Sequence, residues 1–316
     1  MSTWRKPLLA ALALCCVAAI TACGSSKSSS SSASTSSSSA PASTSTSAAS
    51  SSSGGSANSA VVALVPAAVK SKGTLTVAAD ATYAPDEFIG SDGHTVVGMD
   101  ADLAKALAAE MGLKANVVNA TFATIIPGLA AGRYDMGASS FSDTLAREKT
   151  VDFVDYAHVG ESFYTKANGG VSIGSIADIC GKTVSVESGT TEEADAKTQG
   201  AKCKKAGKPA VTVLVFNTQT EANLAVSSGR AQLGFADTPV ADYQVKQSSG
   251  EFKIVGAPYA TGPYGLAIPK NGLDKAVLAA LQDLVKNGTY ASILAKWGLQ
   301  GIAIPASQVK INGATS

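Results

Sequence analysis

From Thr74 onward the chain alternates short apolar runs with stretches of helical period, and this alternation limits the folds open to it more than any other feature. Thr74–Asp80 reads as a strand. Asp100–Met111 then sets Leu103, Ala106, Leu107 and Met111 on one helical face, with Gly112 as the stop. Ala115–Asn119 reads as a strand, Thr124–Ala131 as a helix closed by Gly132, and Asp135–Ser139 as a strand again. Lys182–Glu187, Val211–Phe216 and Gln232–Ala236 predict further buried strands, with helices at Glu193–Lys205 and Gln219–Ser227. Leu273–Asn287 predicts a long amphipathic helix, followed by a helical turn through Trp297. Strands that alternate with helices pair in parallel and are covered on both faces, so the fold class is α/β.

A weak internal echo suggests two such units. GLAAGRYDMGASSFSDT (128–144) resembles AVSSGRAQLGFADTPV (225–240), about 97 residues later. Each has a helix end, Gly-Arg, a short strand with a glycine, then polar residues at the strand's carboxyl end. Ligands of open α/β sheets gather at those ends. Two facing lobes would set the hydroxyls of Ser139 and Ser140 opposite the carboxylate of Asp237. Chance similarity between two βα units is the alternative.

The first 22 residues read as a secretory signal. Arg5 and Lys6 precede an apolar run, Pro7–Ile20, of 14 residues, too short to span a bilayer comfortably. Ile20-Thr21-Ala22-Cys23 has the form of a bacterial lipobox, which predicts lipidation of Cys23 and anchoring at the outer face of the cell membrane. The Ser-rich stretch that follows, Gly24–Ala60, has almost nothing to bury and reads as a flexible tether. Removal of Arg5 and Lys6 leaves 23 basic against 24 acidic residues, so no basic field for nucleic acid exists. Cys15 and Cys16 leave with the leader. Cys180 and Cys203 remain, and in an exported protein such a pair reads as a disulfide. With only His94 and His158 and neither CxxC nor HExxH, a zinc site or a Ser-His catalytic pair has little material, and no cofactor or metal is expected.

The segment SSFSDTLAREKTVDF, Ser139–Phe153, crowds three hydroxyls ahead of a stretch that could start a helix and puts Arg147 early in it. A cation is disfavoured at a helix N-terminus. The position makes sense if an anion is to arrive, and a guanidinium matches a carboxylate in two-pronged fashion. A solvated arginine paired with Glu148 or Asp152 is the plain alternative.

Six blocks, in order, give the chain a specific resemblance. They are GTLTVAADATYAPDEF (73–88), GMDADLAKALAAEMG (98–112), IIPGLAAGRYDMGASSFSDTLAREKTVDF (125–153), DICGKTVSVESGTTEE (178–193), SGRAQLGFADTPVADY (228–243), and PYGLAIPK with GTYASILAKWG (263–270, 288–298). Over about residues 73–300 the chain resembles the family-3 extracellular solute-binding proteins, the polar-amino-acid receptors of ABC importers. The resemblance implies a two-lobed periplasmic-binding-protein-like type II fold, two mixed sheets with flanking helices joined by a two-segment hinge. The domains would be signal 1–22, lipidated Cys23 and tether 23–68, lobe 1 over 69–162 and 260–316, and lobe 2 over 163–259. Crossings are expected near Gly160–Thr165 and Ala257–Gly262. The implied partners are a free amino acid and a membrane permease, the protein itself a monomer and not an enzyme.

By the same resemblance Arg147 takes the ligand's carboxylate, helped by Ser140, Ser142 and Thr191, and Asp237 takes its α-ammonium. Tyr83 and Phe122 flank the ligand's side chain, Asp80 meets its distal polar or cationic group, and Ser139 and Glu192 complete the set. Asp237 could instead cap the helix opened by Thr238-Pro239, and Thr191 could simply cap its own helix. Two departures bear on specificity. Asp86-Glu87 follows Pro85 where the family commonly has phenylalanine, and Glu192 replaces an uncharged polar residue. With Asp80, and with Glu87 if it faces the pocket, they hint at a cationic ligand. Two rivals remain: a dehydratase acting on prephenate-like acids, with Glu192 or Glu87 as its acid, and a ligand-sensing lipoprotein acting in trans.

Overall fold

A computed structural model describes residues 57–315. The expected signal, Cys23 and the expected tether up to residue 56 lie outside the described residues. Two short helices, α1 (Ser59–Leu64) and α2 (Ala67–Lys72), lead into β1 (Thr74–Ala79). A small antiparallel sheet of β2 (Thr82–Tyr83), β3 (Glu87–Ile89) and β4 (Val96–Val97) follows. Then come α3 (Met99–Glu110), β5 (Lys114–Asn119), α4 (Phe122–Ala130) and β6 (Met136–Ser142). One 3-10 turn, Arg147–Lys149, precedes the long β7 (Val151–Lys166). The middle of the chain gives β8 (Thr183–Glu187), α5 (Thr191–Lys205), β9 (Thr212–Phe216), α6 (Gln219–Ser227), β10 (Leu233–Asp237) and α7 (Thr238–Gln247). The second long strand, β11 (Phe252–Pro269), returns the chain to α8 (Asp274–Lys286) and α9 (Thr289–Trp297).

The main sheet runs β5-β1-β6-β11-β7-β10-β8-β9. Its two ends are parallel: β1 lies between β5 and β6, and β8 between β9 and β10. The two sheets read from the sequence are therefore joined into one ladder by β7 and β11, which pair antiparallel from Val151–Pro269 to Lys166–Phe252. Both expected crossings fall inside these strands. The register of β11 slips between Val255 and Tyr259, between Tyr259 and Gly262, and at Tyr264/Gly265. The echoing segments become β6 and β10 in equivalent places. Each is parallel to the first strand of its lobe and antiparallel to a long strand.

Each lobe has its own apolar filling. In lobe 1, Leu75 and Val77 of β1 pack with Leu103 and Leu107 of α3, Leu266 and Ile268 of β11, and Val277 and Leu281 of α8. The helical face read from the sequence is the buried one, and Gly112 ends the segment at φ 69°. Lobe 2 is filled around Val184, Val186, Leu233 and the stacked rings of Phe163 and Phe235, 3.8 Å apart. The Cys180–Cys203 disulfide is formed, with Cα atoms 5.6 Å apart, and ties the approach to β8 to the last turns of α5.

One boundary needs correction. The tether was expected to reach residue 68, but residues 59–72 are largely helical. Val61 and Val65 are buried against lobe 1, Asn58 accepts the Ala60 N–H, and its amide binds Asp283 of α8. A few apolar residues, Val61-Val62 and Leu64-Val65, suffice to bring this segment into the core. Among the described residues, no helix is long and apolar enough to cross a membrane.

Candidate ligand-binding site

The carboxyl ends of the parallel strands of both lobes point toward one gap. β1 runs into Asp80, β6 ends at Ser142, β8 at Glu187 and β10 at Asp237, while α4 and α5 start beside it at Phe122 and Thr191. A small cavity lies there, about 230 Å³ when the space at its open mouth is counted in. Eight of the ten sequence-selected ligand residues line it: Tyr83, Phe122, Ser140, Ser142, Arg147, Thr191, Glu192 and Asp237. Asp80 and Ser139 stand behind the wall. The Asp80 N–H donates to Ser139 Oγ (2.8 Å), and Asp80 Oδ2 accepts the Phe122 N–H (2.8 Å), which fixes the start of α4.

Arg147 bridges the gap. Its Nη1 donates to the Ser142 carbonyl (2.8 Å) and its Nη2 to the Gly189 carbonyl of lobe 2 (2.9 Å). The guanidinium also lies 5.4 Å from the Phe122 ring centre and 5.7 Å from that of Phe141, and those two rings are stacked. Gly189 has φ 82°, and a Cβ there would meet Ala123 of α4 at 3.1 Å. Glycine is thus required both by the turn and by the close approach of the lobes.

Further bonds cross the gap. Tyr83 Oη donates to Asp237 Oδ2 (2.8 Å), and the hydroxyls of Ser142 and Thr191 are 3.3 Å apart. Asp237 does stand at the N-cap of α7, but its side chain makes no capping bond. Capping of α5 falls to Thr190, whose hydroxyl accepts the Glu193 N–H (3.2 Å), so Thr191 is free to face the cavity.

Two expectations about the Ser-rich segment are corrected. Ser140 and Ser142 sit at the end of strand β6 rather than at a helix start, and Arg147 opens only a 3-10 turn before β7. The Ser140 N–H is also committed. It donates to Asp100 Oδ2 (2.7 Å) while its hydroxyl donates to Asp86 Oδ2 (2.9 Å), and these bonds hold Ser140 at φ 47°. Glu87 does not line the cavity. It is fully buried beneath β6 and accepts from Ser139 Oγ (2.9 Å).

The electrostatics are dominated by carboxyl groups. Burial lowers the Arg147 pKa, against the opposing pull of Glu192 and Asp237. Burial raises Asp237 to about 6, with Tyr83, Tyr264 and Arg147 working the other way. Glu192 is pushed well up by burial and then by Asp237 and Glu161. Two participants escaped the sequence reading. Glu161, midway along β7, is pushed up to about 9 by burial and Asp237. Glu187, the last residue of β8, lines the cavity and is pushed up to about 10 by burial and Asp80. Oε1 of Glu187, Oε1 of Glu192 and Oε2 of Glu161 are buried and accept no hydrogen bond from the protein. Among the described residues, Arg147 is the only basic one lining the cavity.

A cavity walled by one guanidinium and several carboxyls between two α/β lobes is suited to a small zwitterion. Residues 75–300 match the profile of the bacterial extracellular solute-binding proteins, family 3. The chain belongs to that family. Among curated relatives, the arginine-binding protein ArgT of Corynebacterium glutamicum is 35% identical over 242 residues, spanning 76% of this chain and 79% of ArgT. Among solved structures, an ancestral arginine-binding protein bound to arginine superposes with a TM-score of 0.66 at 37% identity, covering 71% of this chain and 98% of the ancestor. An ancestral amino acid-binding protein described as a precursor of cyclohexadienyl dehydratase superposes with a TM-score of 0.65 at 34% identity, covering 73% and 97%. The family-3 fold read from the six sequence blocks is thus the fold of the chain.

Proposed function

We propose that this family-3 protein is the amino-acid receptor of an ABC importer, and that its ligand is a free amino acid with a cationic side chain, arginine foremost. One observation carries the reading. A single guanidinium lies among the buried carboxyls of Glu187, Glu192 and Asp237, with Asp80 just behind. Arg147, with Ser142 and Thr191, would take the α-carboxylate, since charge-assisted bonds to a desolvated anion are the strong ones. Asp237, steadied by Tyr83 Oη, would take the α-ammonium. That leaves an excess of carboxyls with no partner in a neutral ligand's side chain, and buried carboxylates are costly unless paired. Arginine-binding relatives support the choice, and the enzyme reading is not favoured, because the curated relatives are binding proteins.

Closure of the lobes about β7 and β11 would bring Arg147 and Asp237 to the ligand and expel water. Lipidation at Cys23 would hold the receptor at the outer face of the membrane, where a permease takes up the closed form. A thermal-shift screen of the twenty amino acids, ornithine and citrulline tests the reading. Ligand at about 100 times its Kd adds roughly 2.7 kcal/mol to stability, so arginine should give the largest rise. A larger rise with any neutral amino acid overturns the cationic assignment, and no rise with any of them overturns the receptor reading.

A further inference from the structure

Asp80 is the residue that sequence comparison casts as partner of the ligand's distal group, yet its acceptor capacity is nearly spent on the protein. Oδ1 accepts the Thr82 N–H (3.2 Å) and Thr82 Oγ1 (2.7 Å), and Oδ2 accepts the Phe122 N–H (2.8 Å). A carboxylate has about four lone-pair sites. Three of these are taken, which leaves Asp80 little to offer a ligand. Asp80 does not line the cavity, whereas Glu187 does. Glu187 is 1% exposed, and its Oε1 accepts nothing from the protein. Glu192, the other carboxyl on the wall with an unsatisfied buried oxygen, follows Thr191 at the start of α5, at the end that would hold the zwitterion.

We propose that Glu187, and not Asp80, is the acceptor for the cationic head of the ligand, and that it discriminates arginine from neutral amino acids of the same shape. This rests on the amino-acid reading of the cavity given above. Asp80 then has a positioning role: it fixes the start of α4 beside the cavity and places negative charge near the Glu187 carboxyl. The groups facing Glu187 are Asp80 just after β1, Asp237 at the end of β10, Tyr83 on β2 and the Gln219 N–H at the start of α6, with no basic side chain among them. Burial and Asp80 keep Glu187 protonated near neutral pH. A guanidinium needs the carboxylate, so the carboxyl proton leaves to solvent as the cation docks. One proton is released for each arginine bound, and none for citrulline, whose urea group has the shape of a guanidinium but no charge.

The test is calorimetric titration of the wild-type protein with L-arginine and with L-citrulline, in buffers of different ionisation enthalpy and across pH 6.5–8.5. Arginine should show a buffer-dependent enthalpy corresponding to one proton released, and an affinity that rises about tenfold per pH unit. Citrulline should show neither. Glu187→Gln keeps the shape of the neutral acid and removes only the ability to ionise. It should cut the preference for arginine over citrulline by roughly 30-fold or more, the usual consequence of removing one partner of a buried charged pair, and abolish the proton release. Glu187→Asp should restore part of both. If wild-type protein binds arginine with a buffer-independent enthalpy, or if Glu187→Gln folds and keeps the parental preference, the assignment fails while the receptor reading stands. If neither ligand nor any other amino acid binds wild-type protein, the receptor reading itself has failed.

Discussion

Replacing Arg147 by lysine separates the charge of the site from its geometry. The guanidinium has five N–H donors. Two are spent on the Ser142 and Gly189 carbonyls, at 2.8 and 2.9 Å, which leaves three for a ligand carboxylate. An ammonium has three donors in all. If it satisfies the same two carbonyls it keeps one for the ligand, so two charge-assisted bonds of ~1.5–3 kcal/mol each are at stake. The retained positive charge offsets part of this loss, which leaves a penalty of about 3 kcal/mol, or about 150-fold in Kd. Because lysine can still serve both carbonyls, the unliganded melting temperature should change little. Calorimetric titration with L-arginine at fixed ionic strength measures the effect directly. A Kd within about threefold of the parent, less than 1 kcal/mol, would mean that the carboxylate does not dock on the guanidinium, and the polarity assigned to the cavity would be reversed.

Acid should weaken amino-acid binding through Asp237. Its pKa near 6 means that the ammonium loses its carboxylate below that value, so affinity should fall by up to about tenfold per unit on going from pH 6 to 5. The unliganded fold should respond in the opposite sense. Glu161 and Glu187 bind their protons more tightly in the native state than in the unfolded chain, so stability is fully present below the ordinary carboxylate range and is lost as pH rises toward about 9 and 10. The melting temperature should therefore fall between pH 5 and pH 9, and a rise would contradict the burial of these groups. Changing Cys180 and Cys203 together to serine opens a loop with a sequence separation of 23. Loop entropy sets the loss at about 3 kcal/mol, read by denaturant titration. Arginine affinity should hold, because Cys203 lies at the end of α5 away from the cavity.

The residues of the site were legible to very different degrees. Arg147, Asp237 and Thr191 stand in recognisable blocks, and their placement needs only that strands end where the apolar runs end. Glu187 was hidden because it closes the run Thr-Val-Ser-Val-Glu, where a terminal carboxylate reads as a solvated strand end. Its burial comes from the opposing lobe and from α6, contacts to which no local pattern refers. Glu161 was missed for a related reason. In β7 the residues Asp152, Asp155, His158 and Glu161 break the apolar pattern, so the strand looked like a connection. In β11 Gly256, Pro258, Gly262 and Pro263 did the same, and only pairing with β7 holds that segment extended. The helix expected after Ser142 shrank to one 3-10 turn because Val151 and Phe153 are drawn into β7, where both are fully buried.

The register slips in β11 have a consequence for how such a receptor can diversify. A continuous ladder resists bending except where its pairing is interrupted, and the interruptions here, between Val255 and Gly262, involve none of the residues that line the cavity. Substitutions in that short ribbon would retune how readily the jaws part, and hence binding strength and release to the permease, without altering which solute is preferred. Potency and selectivity can then drift along separate mutational routes, one through the ribbon and the other through the carboxyls.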